Sequence, residues 1–455
     1  MERWFHLSEF NSNIRTEVIA GLTTFVAMAY ILFVNPSILG ATGMDRNAVF
    51  FATAVGAGVV TMAMGLFVNF PIALAPGMGL NAYFMTVVLG SNGAITWQVG
   101  LGAVFISGII FIILTVTRVR QLLVVAVPTA IQYAITVGIG LFITVIGLKL
   151  GNFMSISLTI PHAVGIVPNL DWNLGIGNVV HDRVMLLGIV GLFLDALLMV
   201  LRIPAALLIG ILVTTLIGIP LGVSNTAALQ HPQFLPNLSH LAVGKLDIRG
   251  AIDSGIIEMI ATFTFVELFD TFGTLVGTAQ RAGLLERPDG QRRLGRAMLV
   301  DASGVSFGAL MGTSTITAFV ESATGIAAGG RTGLTAVTTG VVFLLALLLA
   351  PLAGIIPDAA TAPALILVGV LMMQSVRLID WSELRNAIPA FLTIVMMPFT
   401  YSIANGVSFG IVSYCIINGV RNLVLRARGE KVEQIHWLMW VLFLLVIARF
   451  IFIEI

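Results

Sequence analysis

The chain has 455 residues, 58% of them hydrophobic and 10% charged, with a formal net charge of +1. Soluble domains carry roughly 25% charged residues, so water is excluded as the main solvent, and the near-zero charge gives no pull toward nucleic acid. The single cysteine, Cys415, excludes disulfide frameworks and cysteine metal clusters.

Apolar runs such as Ala20 to Val34, Val104 to Val116, Gly340 to Ala350 and Leu438 to Ile447, with their flanks, reach the ~20 residues that cross ~30 Å of hydrocarbon. The alternating segments of a membrane β-barrel are absent. The predicted fold class is all-α, a polytopic membrane protein with helices at 16–38, 48–70, 78–92, 99–117, 129–148, 184–201, 203–222, 254–281, 294–312, 319–328, 332–351, 361–376, 386–402 and 405–425. Residues 1–17 lack a signal peptide's apolar core and cleavage site, so the first helix is expected to remain as an anchor. The polar stretches 150–183 and 224–249 read as loops. With the N-terminus in the cytoplasm, inside loops hold 17 Lys and Arg, Arg120 among them, against 5 outside, with Arg449 set aside. The positive-inside rule favours that orientation. The apolar stretch 436–453 reads as a fifteenth span or an interfacial helix.

Two spans are interrupted. In Pro71-Ile-Ala-Leu-Ala-Pro-Gly-Met-Gly-Leu-Asn-Ala-Tyr-Phe84, Pro76 disfavours a helical residue before it, and Gly77 and Gly79 let backbone approach a ligand closely. An extended entry followed by a half-helix is predicted. Gly312-Thr-Ser-Thr-Ile-Thr-Ala-Phe-Val-Glu-Ser-Ala-Thr-Gly325 has the same form, with a helix opening near Phe319. A half-helix that starts at mid-membrane aims unpaired N–H groups into a cavity. Paired interrupted segments in the two halves of a chain point to a transporter site, against the blander reading of packing glycines.

Ionisable residues at membrane depth cost at least ~2.5 kcal/mol and are functional candidates by default. Glu267, Asp270, Thr271, Thr274 and Thr278 fall on one face of one helix, so that face should line a cavity. Glu258 lies near the outer end of the same helix, and solvent exposure suffices to explain it. Glu321 opens the second half-helix, where it can accept hydrogen bonds from substrate N–H groups. Asn81 occupies the comparable place in the first, offering donor and acceptor to a heterocycle edge or serving as a helix-start cap. Asp195 and Asp301 are read as structural hydrogen-bond formers rather than proton relays. Buried carboxylates support proton coupling, with sodium as the alternative ion and no other cofactor or metal expected.

With Gly21-Leu-Thr-Thr-Phe25, Ala29-Tyr-Ile-Leu-Phe-Val-Asn-Pro36, Ala75-Pro-Gly-Met-Gly-Leu-Asn-Ala82, Phe269-Asp-Thr-Phe-Gly-Thr-Leu275, Val320-Glu-Ser-Ala-Thr-Gly325 and Thr361-Ala-Pro-Ala-Leu365 in this order, the chain resembles the AzgA-type purine permeases of the nucleobase-ascorbate transporter superfamily, close to bacterial hypoxanthine/guanine permeases. The likeness runs from Arg15 to Asn422. It implies two inverted seven-span repeats with broken spans 3 and 10. Residues 1–15 would be a cytoplasmic N-terminus. Residues 16–117 and 254–351 would form a core domain, 129–222 and 361–425 a gate domain, and 436–453 an extra apolar segment. It also implies elevator-type import of hypoxanthine, guanine or adenine across the inner membrane, and homodimerisation through the gate domains. Asn81, Glu267, Asp270 and Glu321 carry over by motif as binding or coupling positions, Glu267 standing where some members have Asp. Gly79 and Thr271 belong to the same site, and Phe265 and Phe319 are candidate stacking partners for a purine ring.

Three other readings compete. A sulfate/bicarbonate-type anion carrier of the same architecture should place a basic or neutral group where Glu321 stands. A channel should show rings of polar residues along a pore. A membrane-embedded enzyme should show an apparatus such as H-E-x-x-H, which does not occur, or G-x-S-x-G at a strand-to-helix turn, whereas the runs Gly304-Val-Ser-Phe-Gly308 and Gly406-Val-Ser-Phe-Gly410 fall inside predicted helices.

Overall fold

The computed structural model describes residues 2–91, 93–117, 119–159, 171–176, 182–226, 241–253, 256–432 and 434–452. The first apolar stretch forms α1 (Ile14–Met28), whose Asn13 cap accepts the Thr16 N–H, and α2 (Ile31–Gly40). The single span predicted there is one 27-residue segment, Ile14–Gly40, whose ladder tightens at Ala29–Tyr30: Leu32 and Phe33 bond back three residues rather than four. Pro36 lies inside α2 and supplies no N–H to the Leu32 carbonyl. Next come α3 (Arg46–Ala63), β1 (Leu74–Pro76), α4 (Met78–Gly90), α5 (Trp97–Val116), α6 (Val119–Ala126) and α7 (Thr129–Leu150). Thr96 caps α5 by accepting the Val99 N–H.

The stretch read as a loop at 150–183 contains an antiparallel strand pair, β2 (Met154–Thr159) with β3 (Asp171–Ile176). Then follow α8 (Arg183–Val200), α9 (Ala206–Gly218), α10 (Ile257–Arg281), α11 (Gly290–Met311), β4 (Ile316–Ala318), α12 (Ser322–Ala327), α13 (Gly333–Leu345), α14 (Asp358–Met373), α15 (Leu384–Phe399), α16 (Ile403–Ala427) and α17 (Trp437–Phe452). The protein is a helical, polytopic membrane protein, and two short antiparallel strand pairs amend the all-α expectation. Among the described residues, eight helical segments are long and apolar enough to cross a membrane. The polar stripe of α10 and the arginine-rich start of α11 set those two helices apart from the uniformly apolar spans.

Helices from both halves interleave. α13 packs on α1 and α3, α11 on α5 and α3, and α12 on α1, while α14 packs on α7 and α8, and α15 on α7 and α16. Close backbone contact carries part of this. A Cβ on Gly333 would stand 2.1 Å from the Gly65 carbonyl oxygen, and the Gly333 N–H donates to Asn69 Oδ1 at 2.6 Å. Both obstacles are buried main chain or its direct partner, so Gly333→Ala should destabilise the protein by about 1–3 kcal/mol through overpacking. A thermal-unfolding scan in detergent at equal protein load tests this, and an unchanged midpoint would refute it.

The C-terminal helix α17 lies alongside α16. Trp440 packs over Gly419, Cys415 Sγ meets the Met439 carbonyl at 3.5 Å, and Arg449 donates to Ser408 Oγ at 2.8 Å. Residue numbers rise along one helix as they fall along the other, so the pair is antiparallel. At 16 residues, α17 is shorter than the eight segments long enough to cross a membrane. Arg449 also donates to Asn405 Oδ1 and pairs with Glu258 of α10. Glu258 is therefore an ion-pair partner, not the solvent-exposed carboxylate predicted: its side chain is 30% exposed beside Arg449.

Candidate functional site

The two interrupted segments meet. β1 and β4 pair antiparallel with Leu74 opposite Ala318, Ala75 opposite Thr317 and Pro76 opposite Ile316. The Gly77 N–H donates to the Thr315 carbonyl at 2.9 Å, and the Phe319 N–H to Ala73 at 3.0 Å. Pro76 contributes no N–H, and its position in a two-stranded pair leaves its nitrogen edge outside the ladder. Extended backbone at membrane depth is tolerated where protein buries it, and every residue of both strands is buried.

A cavity of about 420 Å³ opens beside the crossing, within the usual range of small-molecule sites. One wall is the start of α4, from Gly77 to Leu80. Another is Thr317 to Glu321, and the polar face of α10 supplies Thr274, Gly277, Thr278 and Arg281. Tyr30, at the α1–α2 break, completes this side, while α7 and α14 close the other through residues such as Tyr133, Ile139 and Met372.

Glu321 stands at the residue before α12, with its carboxylate on the cavity. The helix opens at Ser322, later than the predicted 319, and runs only six residues, so its dipole is a smaller support than expected. The Tyr30 hydroxyl takes over that role, donating to Glu321 Oε1 at 2.6 Å. A charge-assisted bond of this kind is worth about 1.5–3 kcal/mol. Sequence reasoning missed Tyr30, though it lies inside one of the quoted motifs.

Phe319 and Gly79 line the cavity too. At Gly79 the close neighbour is α7, because a Cβ there would stand 2.4 Å from Ile139 Cγ2.

Other predicted residues lie elsewhere. Asn81 does not line the cavity and does not cap α4, whose N-cap is Gly77. It is fully buried, and its Nδ2 donates to Asn35 Oδ1 at 2.5 Å. Asn35 in turn donates to Thr53 and Thr313 at 2.7 and 2.9 Å. Asn81 thus ties α4 to α2, α3 and the second break from behind. Phe265 lines a different, apolar cavity of about 450 Å³ with Val407, Leu442 and Arg449. The Asp270 side chain lies outside the described residues.

Glu267 is 1% exposed and reaches the cavity wall through hydroxyls. Thr271 Oγ1 stands 3.2 Å from Glu267 Oε1 and 2.7 Å from Thr317 Oγ1. Thr317 lies 3.4 Å from Asp301 Oδ1, which also accepts the Ala318 N–H at 3.2 Å. Asp301 is therefore the structural hydrogen-bond former expected, and its partner is the strand of the second break. Asp195 is not one: among the described residues its buried carboxylate has no hydrogen bond, and it abuts Gly210 on α9, where an added Cβ would overlap it. Arg120, counted among the inside loops, is 1% exposed and lies 3.9 Å from Asp301 Oδ2.

Paired broken spans beside a cavity of mixed polar and apolar lining are the arrangement of a membrane transporter of small solutes. The Permease family model, that of the xanthine/uracil permeases, matches residues 15–409, and the chain belongs to this family. It is 42% identical over 418 residues to the adenine permease AdeP of Escherichia coli, covering 92% of this chain and 90% of that protein. It is 40% identical over 466 residues to the guanine/hypoxanthine permease PbuG of Bacillus subtilis, covering both chains fully. Among solved structures, the transmembrane domain of the cyanobacterial bicarbonate transporter BicA aligns with a TM-score of 0.57 at 19% identity, covering 86% of this chain and 97% of that one. That likeness concerns the fold alone.

Proposed function

We propose that this permease imports purine nucleobases together with protons across the inner membrane, by an elevator-type movement of a core domain against a gate domain. The observation that carries the reading is the pairing of Glu321 with Tyr30 on the cavity wall, opposite the open first turn of α4. A carboxylate accepts the ring N–H groups of a purine. The amides of Met78 to Leu80, which have no intrahelical acceptor in a first turn, face an exocyclic oxygen or ring nitrogen, and Phe319 supplies an apolar face. An anion would meet Glu321 as a like charge, which disfavours the bicarbonate-type alternative. The relatives named as adenine and guanine/hypoxanthine permeases support the same cargo class.

In this reading α1–α5 and α10–α13 form the core, and α7–α9 and α14–α16 the gate, with the N-terminus in the cytoplasm. The cavity then extends toward the cytoplasmic ends of α10 and α14, at Arg281 and Ser375. On the far side Arg46 Nη2 holds both Asp358 oxygens at 2.9 Å, which corresponds to an inward-facing state. Cells lacking their own purine carriers and expressing this chain should take up radiolabelled hypoxanthine saturably. Excess unlabelled guanine or adenine should reduce uptake at least tenfold, uracil should not, and a protonophore should abolish it. Uptake insensitive to the protonophore would reject proton coupling, and no uptake by inserted protein would reject the purine reading.

A further inference from the structure

Arg120 lies on α6, the short helix joining α5 to α7. Its guanidinium points into the protein, over the Phe111 ring at 4.5 Å and 3.9 Å from Asp301 Oδ2. Its three nitrogens make no hydrogen bond among the described residues, so Coulomb attraction and the ring face hold it. At 1% exposure, an arginine left without its carboxylate would be destabilised by several kcal/mol, and the same holds for Asp301 without the arginine.

Asp301 has work on its other oxygen. Oδ1 accepts the Ala318 N–H and lies beside the Thr317 hydroxyl, both on the cavity wall. From Thr317 the contacts continue to Thr271 and Glu267. Thr317 donates to Asp301 at one end of this series, and Thr271 donates to Glu267 at the other.

From this we infer that Arg120 is a positioning residue of the transport site. It holds Asp301, and through Asp301 it fixes the Thr317–Ala318 wall of the cavity and the hydroxyl contacts leading to Glu267. Because α6 connects the two groups of helices assigned as core and gate, the same contact ties that connector to the site. The inference rests on the purine reading only for the choice of ligand.

The test uses purified full-length protein and hypoxanthine binding, with uptake KM and Vmax measured in parallel. Arg120→Met, which keeps bulk and removes charge, should weaken binding at least tenfold. Arg120→Lys should stay within about threefold of wild type. Arg120→Met combined with Asp301→Asn, which removes both charges and keeps an acceptor oxygen for Ala318, should recover most of the loss. Wild-type affinity in Arg120→Met would overturn the proposal, as would Lys and Met variants equally impaired with no recovery in the double variant, the pattern expected if only packing matters. If Arg120→Met does not fold, the double variant decides: folded protein that binds supports the pairing, and anything else overturns it. Failure of wild-type protein to bind hypoxanthine would reject the purine reading separately. The wall would then be read by maleimide labelling of Ala318→Cys in a Cys415→Ala background, where Arg120→Met should change the labelling rate severalfold and Arg120→Lys restore it. An unchanged rate would overturn the proposal.

Discussion

Glu321→Ala should reduce base uptake to background while leaving the protein in the membrane at normal abundance. The carboxylate faces the cavity and offers a substrate two acceptor positions, one steadied by Tyr30 at 2.6 Å. Hydrogen bonds to charged groups are worth about 1.5–3 kcal/mol each, so losing two lowers affinity by about 10²- to 10⁴-fold at 1.4 kcal/mol per factor of ten. Glu321→Gln keeps one acceptor oxygen and should fall between, and Tyr30→Phe should raise KM by about tenfold, the weight of one such bond. Transport assays paired with surface labelling of expressed protein separate this from failed insertion. Uptake near wild type in the alanine variant would remove Glu321 from the site and with it the reason for preferring a base over an anion.

That residue was legible in the sequence because membrane solvation makes any mid-span carboxylate conspicuous, and the two breaks were legible because Pro76 and the adjacent glycines have few other uses. The pairing of the breaks is a different matter. Leu74 and Ala318 meet through main-chain bonds that carry no side-chain signature, so only the repeat symmetry implied by the family resemblance suggested it. Tyr30 was hidden because tyrosine within an apolar run reads as filler until the ladder is seen to tighten there. Arg120 and Glu258 were both read as solvated for one reason: a charge near a helix end looks solvated when its partner is far away in sequence. Arg120 finds Asp301, and Glu258 finds Arg449 on a helix whose role composition left open. Asn81 and Phe265 show the converse error. Both have suitable chemistry, but one turns toward Asn35 and the other toward α16 and α17. One-dimensional spacing cannot tell which way a helix face is rotated when both sides are buried.

Ser37→Cys combined with Thr361→Cys, in a Cys415→Ala background, should make uptake sensitive to redox conditions. Ser37 of α2 and Thr361 of α14 touch at 3.0 Å between their oxygens, beside the Arg46–Asp358 pair, with Ser37 also donating to Asp358 at 2.6 Å. In the elevator reading these two helices belong to the core and the gate, so the contact must separate whenever the site opens to the far side. Cysteines at both positions bring the sulfurs near the ~2 Å bonding distance, and removing Cys415, the only native thiol, leaves a single reactive pair. Oxidation should then reduce uptake at least tenfold and added reductant restore it, whereas each single-cysteine variant should be indifferent to both. Arg46→Gln, by contrast, removes only the ion pair, whose members are 38% and 33% exposed. Partly exposed pairs contribute about 1 kcal/mol or less, so this variant should alter the balance of inward and outward states without stopping transport. A complete cross-link, verified by mass spectrometry, with uptake unchanged would mean that α2 and α14 travel together, and the core and gate would then have to be divided elsewhere than between them.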